Sequence, residues 1–339
     1  FGQRRNLLRP SHWKMCRDLL RFFEFAKSAP PSADVSLGEW LAEHRFSTAF
    51  IDRHIKPMGA AIWSTPAERM LSFPARAFLR FFDNHGLLQV RDRPKWRTVR
   101  GGSREYVSRM LADMTVEVRA SSPVAAITRS AAGVTVTTAD RAESAFEACV
   151  IATHADEALA MLQDANADEH RLLSPFAYAD NEAVLHADAR AMPKRRPLWS
   201  SWNYTGAGHD ETALSVTYWM NSLQPLATEQ DWFVTLNPTH ALRDDLVHST
   251  QTYRHPVFDA AAMDAQRDLW SLQGARRTWF CGSYFGYGFH EDGIQSGLAA
   301  AEDLSGVPRP WTRPRMNDRL SLPEGWSPER ARDVGLAAA

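Results

Sequence analysis

Cysteine is scarce in this chain of 339 residues: Cys16, Cys149 and Cys281 are the only three, far apart and in no metal or redox spacing. An odd count, with Cys149 and Cys281 in apolar runs, points to buried free thiols in a reducing cytoplasm and excludes a disulfide scaffold. Charge of one sign is not in excess. With 39 Lys and Arg against 40 Asp and Glu the formal net charge is −1, so no broad basic field marks a nucleic-acid partner. No apolar run approaches the roughly 18 residues of a membrane helix, and no signal peptide is evident. No HExxH or similar spacing occurs. His186, Asp188, His209, His240 and His248 are dispersed and read as non-ligands, so no metal is expected. Repeats of solenoid period and low-complexity blocks are absent too.

Aromatics are plentiful, at 12 Trp, 17 Phe and 7 Tyr, and such residues fill cores and line apolar pockets. The first ninety residues read as mostly helical. An amphipathic helix is expected over 11–29, capped by Ser11 and ended by Pro30, with Cys16, Leu19, Leu20, Phe23 and Ala26 on one face. Ser36 and Glu39 form a capping box for a second helix. Ser47 starts a third that stops before Pro57, Thr65-Pro66 starts a fourth, and residues 74–85 give a fifth, closed by Gly86.

From residue 96 the pattern changes. Thr98-Val99, 116–119 and 124–128 read as strands, and Ser103 caps a helix among them. The alternation across Gly133 predicts a hairpin into 134–138, and 145–153 is a further strand that leads into a helix through Leu162. Strands at 183–186, 198–204, 213–220 and 232–236, with no helix between them, predict an antiparallel sheet. Asp259 caps a helix that Gly274 stops. Residues 307–339, rich in Pro and Arg, read as a poorly ordered tail or an edge-wrapping segment.

Residues 277–301 organise the rest: a short apolar strand, a glycine-rich loop, and a helix with small residues on one face. Gly282, Gly286, Gly288, Gly293 and Gly297 remove side chains where a backbone approaches something closely. Asp292 and Gly293 sit where an N-cap belongs. Two readings stand side by side. One is a strand–turn–helix with a packing face of Ser296, Gly297, Ala300 and Ala301. The other is a helix start whose free N–H groups meet an electron-rich ligand.

The run Gly288-Phe289-His290-Glu291-Asp292-Gly293-Ile294-Gln295-Ser296-Gly297 with its following alanines resembles the C-terminal flavin motif of the flavin-containing amine oxidase superfamily. It is most similar to a bacterial branch of predicted NAD/FAD-binding proteins. Three other stretches match that branch in order: residues 96–107 (Trp-Arg-Thr-Val-Arg-Gly-Gly-Ser-Arg-Glu-Tyr-Val), 150–154 (Val-Ile-Ala-Thr-His) and 202–204 (Trp-Asn-Tyr). The resemblance runs from about Asn6 to Leu304. No Gly-x-Gly-x-x-Gly occurs, and the chain opens at Phe1 without an initiator Met. The expectation is therefore a family member without its first dinucleotide-binding unit.

The resemblance implies an α/β fold with α+β character: a partial FAD-binding Rossmann-like domain lacking its first βαβ unit, joined to a helical and antiparallel-sheet substrate domain. In those terms 1–95 is the helical part of the substrate domain and 96–165 a FAD-binding segment with a β-meander. Residues 166–275 form the antiparallel-sheet part, 276–306 the C-terminal FAD-binding segment, and 307–339 a tail. The implied cofactor is FAD. Its implied contacts are the backbone of Val124 at the adenine and Thr153 near the ribose and pyrophosphate. Gly282 and Ser283 follow at the strand end, with Asp292, Gly293 and Ile294 where a positive helix end meets the flavin's pyrimidine edge. Val124 and Thr153 read equally well as ordinary strand residues. Ser283 departs from the acidic residue that many amine oxidases carry there.

Trp63, Trp202, Tyr204, Tyr218, Tyr284, Tyr287 and His290 are the pocket candidates, with core packing the alternative for each aromatic. No catalytic side chain is singled out, because flavin chemistry needs hydride alignment in a dry site and no acid–base triad. The implied function is FAD-dependent oxidation of an apolar, fatty-acyl substrate by a cytoplasmic protein, with a small-molecule or lipid partner and compatible with peripheral membrane contact. An ordinary amine oxidase, a carotenoid- or porphyrin-type desaturase, and a non-catalytic binding protein without the cofactor unit stay open beside it.

Overall fold

A computed structural model describes residues 4–29, 31, 35–63, 67–92, 95, 97–207 and 210–328. The readings that rest on Pro30, Thr65-Pro66, Trp96, Gly208, His209 and residues 329–339 lie outside the described residues.

Helix α1 (Pro10–Ser28) starts one residue before Ser11: Arg9 is the extended residue ahead of it, and Pro10 takes the position where a missing N–H costs nothing. The capping box of Ser36 and Glu39 opens α2 (Leu37–Glu43) as the sequence predicts. Ser47 caps α3 (Thr48–Phe50), which continues through a π-helical turn, Ile51–Ile55, into α4 (Lys56–Trp63). Pro57 therefore does not end the helix. The wider turn before it accommodates the missing donor. Helix α5 (Ala75–Asn84) buries Phe78, Phe81 and Phe82. Helix α6 (Arg104–Asp113) buries none of its residues.

Strands β1 (Val124–Ser130), β2 (Gly133–Thr138) and β3 (Glu143–Phe146) form an antiparallel meander. Strand β4 (Cys149–Ile151) leads into α7 (Ala155–Met161) and α8 (Ala167–Leu173). Next come β5 (Ala177–His186), β6 (Trp202–Ala207), β7 (Asp210–Trp219), α9 (Met220–Leu223), β8 (Phe233–Leu236) and β9 (Val247–Val257). Helix α10 (Ala260–Asp268), capped by Asp259, precedes β10 (Thr278–Phe280) and α11 (His290–Ser305). The strands expected at Thr98-Val99 and 116–119 do not form. Among the described residues no neighbouring strand takes up their hydrogen bonds, Val116 and Val118 stay exposed, and Glu117 pairs locally with Arg119. Alternation without a partner does not make a strand.

Two compact units result, Phe1–Val116 with Ala179–His255 and Glu117–Tyr178 with Pro256–Ala339. The first is built on aromatic packing. The Phe22 ring, fully buried, meets Trp40, Phe46, Phe78 and Phe82 edge-on at 5.9, 6.0, 6.5 and 5.9 Å, contacts each worth about 0.5–1.5 kcal/mol beyond area burial. Its sheet has the order β6-β7-β8-β5-β9. Register pairs Trp202 with Tyr218, so those two and Tyr204 share one face, while Asn203, Thr217 and Thr235 share the other.

The second unit is held by buried charge. The Arg129 side chain is fully buried, donating to Asp164 at 2.9 Å and pairing with Glu169, whose carboxylate also accepts from Asn166 N–H at 2.8 Å as part of the α8 capping box. Arg276 closes on the same Asp164. Residues 307–328 wrap an edge: Arg309 pairs with Glu302 at 2.6 Å, Trp326 donates to Asp303 at 3.1 Å, and Arg319 pairs with Asp292. Of the two readings of the tail, the described part takes the second.

Arg129→Met leaves the buried Glu169 carboxylate without its cation, Asp164 keeping Arg276, and should cost about 3–5 kcal/mol, read as a lowered urea midpoint at unchanged slope; a shift worth under 1 kcal/mol would overturn the assignment. Glu302 adds a pH signature. Burial raises its carboxyl, the Arg309 hydrogen bonds and charge lower it further, and the net direction is down. A depressed folded value stabilises above the ordinary Glu pKa of about 4.3 and is lost as pH falls below it. Arg309→Met should therefore flatten the acid-side loss of stability; identical acid limbs in the two proteins would refute this.

Candidate functional site

Strands β4 and β10 run parallel, pairing Cys149 with Thr278, Val150 with Trp279 and Ile151 with Phe280. Both chains therefore leave at the same end, and in open α/β sheets ligands bind beyond the carboxyl ends of parallel strands. The two exits touch. A Cβ on Gly282 would lie 2.6 Å from the Tyr284 ring and 3.4 Å from the Thr153 carbonyl oxygen, so glycine is required by close approach. Ser296 of α11 locks the junction. Its Oγ accepts from Gly282 N–H at 3.0 Å, with Gly282 O at 3.1 Å and Gly293 O at 3.0 Å as acceptors for its proton.

Helix α11 begins at His290, three residues before the expected start at Gly293. Phe289 is the extended residue ahead of it, and Asp292 is its third residue. The Asp292 carboxylate folds back to accept Phe289 N–H at 2.7 Å, wholly buried and paired with Arg319. A Cβ on Gly286 would overlap that carboxylate. Gly293 and Gly297 differ: a Cβ on either meets nothing within 4 Å, and Ile294 is half exposed. One side of the first turns is therefore packed and charged, and the other is open bare backbone at the positive end of a helix.

Tyr284 lies below the junction, its ring 5.3 Å from Phe176 and 5.0 Å from Phe285. Its hydroxyl is buried without a hydrogen-bond partner among the described residues. Burial first, then the nearby Cys281 and Tyr178, push its pKa well above the ordinary range. Burial also pushes the Cys281 thiol up to about 11, which excludes a thiolate nucleophile at neutral pH. Tyr178 stacks on His154 at 4.1 Å and accepts the N–H of Ala155, the first residue of α7, at 2.9 Å.

The other cofactor candidates take different positions in this unit. Thr153 is exposed at the strand exit, donating to its neighbour's carbonyl at 3.1 Å. The Ser283 carbonyl accepts from Gly286 and Gly288, both at 3.1 Å. Val124 opens β1, 38% exposed. Tyr287 is buried against the Arg319 guanidinium at 5.6 Å, and His290 is exposed. The remaining pocket candidates belong to the other unit. Trp202 and Tyr218 lie 5.8 Å apart on one sheet face with Tyr204, and burial raises the Tyr218 hydroxyl. Trp63 packs in the helical core, 4.7 Å from Phe73 and 4.9 Å from Phe81.

Three contributors were invisible in the sequence. Ser296 was read only as part of a small-residue face. Gln266 donates to the carbonyls of Tyr284 at 2.8 Å and Gly286 at 2.6 Å, and so holds the loop. Arg319 sits in the supposed tail. On the polar face of the first unit's sheet, His186 is a buried link bonded to Thr235 at 2.6 Å, which bonds Thr217 at 2.9 Å. Burial lowers its pKa. No group that could hold a metal occurs among the described residues.

The glycine contrast is testable by thermal unfolding. Gly286→Ala should destabilise by about 1–3 kcal/mol through overpacking, whereas Gly293→Ala should be neutral or gain up to about 1 kcal/mol of helix propensity. Equal losses at the two positions would mean that the open side of α11 is misplaced.

Residues 5–190 match the family described as flavin containing amine oxidoreductase. No curated protein matches the chain in sequence. Among solved structures, wild-type putrescine oxidase bound to putrescine is similar with a TM-score of 0.62 at 13% identity, over 88% of this chain and 76% of that one. Cyclohexylamine oxidase from Brevibacterium oxydans IH-35A gives 0.58 at 13%, over 88% and 76%. A CLA-producing fatty acid isomerase from P. acnes gives 0.52 at 15%, over 81% and 70%. At these identities the likeness is one of fold.

Proposed function

The chain belongs to the flavin containing amine oxidoreductase family, and on that premise we propose that it serves FAD-dependent oxidation of an apolar, fatty-acyl substrate. The observation that carries the flavin half is the Gly282 junction, where two parallel strands end against a helix whose first turns present open backbone at Gly293. The fit to a flavin is one of charge and access: a positive helix end favours the charge that a reduced pyrimidine edge carries, and Gly293 leaves that end uncovered, its own N–H donating to the Phe289 carbonyl at 3.2 Å. In this reading Thr153, Gly282 and Ser283 hold the ribityl and phosphate region, Val124 offers backbone to adenine, and Gly293 and Ile294 meet the ring. Asp292 makes no direct contact, being buried under Arg319, and acts through Phe289. FAD, when bound, supplies the hydride acceptor.

The 339 residues contain no Gly-x-Gly-x-x-Gly to cradle the pyrophosphate. Strand β4 pairs only with β10 among the described strands, and Val150 is 41% exposed on it, although parallel strands are ordinarily covered. Both features support a reading in which a βαβ unit outside these residues completes the flavin-binding half. The chain by itself should then bind FAD weakly or not at all, and a preparation holding stoichiometric, dialysis-resistant FAD would overturn this.

The substrate half rests on the half-buried face of Trp202, Tyr204 and Tyr218 and on the likeness to a fatty acid isomerase. An acyl chain gains about 0.8 kcal/mol per buried methylene, so apparent affinity should climb with chain length. Anaerobic flavin reduction by the completed protein, followed across an acyl series and separately with simple amines over a range of pH, separates the readings. Reduction by short amines with no response to any lipid would return the protein to amine oxidation.

A further inference from the structure

Asp292 poses a charge problem. Its carboxylate is completely buried in the first turn of α11. A full negative charge there would cancel the roughly half positive charge that a helix N-terminus supplies. The neutralising group comes from the C-terminal strap, residues 307–328. The Arg319 guanidinium pairs with Asp292, its side chain is 9% exposed, and it lies 5.6 Å from the Tyr287 ring centre. The Arg319 backbone N–H donates to Gln295 Oε1 at 3.3 Å. Its Nη2 is buried without a partner among the described residues, a donor that the surrounding protein leaves unused. The strap is fastened elsewhere by Arg309 on Glu302 and by Trp326 on Asp303, which also accepts from Trp279 at 2.8 Å.

We propose that Arg319 is a positioning residue of the flavin site: by neutralising Asp292 it fixes the loop 286–289 and removes the buried negative charge that would oppose the α11 helix end, leaving only the exposed Glu291 in that turn. The inference rests on the flavin reading of that helix. The chain of contacts is continuous. Arg319 holds the Asp292 carboxylate, which holds Phe289 N–H, and the same carboxylate fills the space over Gly286. A strap that only covered apolar surface would need no buried cation at this turn.

Hydrogen exchange of the backbone amides over 286–296 tests this in the 339-residue chain without flavin. Arg319→Met should speed exchange there by about tenfold, in keeping with loss of a charge-assisted hydrogen bond. Arg319→Lys should recover most of the protection. In an Asp292→Asn background, Arg319→Met should add less than twofold. Trp326→Phe, which loosens the strap elsewhere, should leave these amides unchanged. Equal effects of Arg319→Met in both backgrounds, or no recovery with Arg319→Lys, would overturn the assignment and make Arg319 a packing residue. Should Arg319→Met not fold, Arg319→Lys compared with the Asp292→Asn/Arg319→Met pair still decides. FAD titration of the completed protein, followed by flavin fluorescence, is the second readout: binding by Arg319→Met should weaken at least fivefold against Arg319→Lys. No FAD uptake by the unsubstituted completed protein at any concentration would overturn the flavin reading, a failure distinct from loss of the Asp292 coupling.

Discussion

One serine hydroxyl closes the junction on which the candidate site depends. Ser296 Oγ takes the N–H of Gly282 and lies within reach of the carbonyls of Gly282 and Gly293. It thereby ties the end of β10 to the first turns of α11. Only three residue pairs join β10 to β4, too few to hold the geometry by themselves. The absence of a Cβ at Gly282 makes room for the Tyr284 ring, and the absence of one at Gly286 lets Asp292 fold under the loop. With those groups in place the open side of α11 is left free of side chains.

The two units reach stability by different physics. Around Phe22 the first relies mainly on rings packed edge to face, with one buried carboxylate, Asp18, satisfied by Arg21 and the Ser47 N–H. The second buries ion pairs: Arg129 with Asp164 and Glu169, Arg309 with Glu302, Arg319 with Asp292. Such pairs add little net stability over apolar packing, yet a missing partner is severely penalised. They therefore favour one arrangement of the elements around the junction over its near alternatives.

Local signals were legible where the chemistry that makes an element lies within a few residues. The capping box of Ser36 and Glu39, the hairpin across Gly133 and the Asp259 cap appear where the sequence places them, and the strand–loop–helix order of 277–301 holds although its helix starts three residues early. Errors arose where a local pattern needed a distant partner or competed with one. Val116 and Val118 alternate like a strand and find no neighbour. Asp292 looks like an N-cap, but a partner 27 residues away draws its carboxylate inward, and the helix starts earlier.

From sequence alone came the class of the chain and the stretch that matters, because glycine spacing, small-residue faces and apolar periodicity are written residue by residue. Which glycines face open space and which face a carboxylate was decided only by tertiary structure. So were the packing of Trp63 into the aromatic helical core, the sheet face shared by Trp202, Tyr204 and Tyr218, and the conversion of a Pro- and Arg-rich tail into a source of buried cations. The reason is physical. Periodicity records which side of an element is apolar, whereas burying a charge depends on a counter-charge whose place in the chain no local pattern specifies.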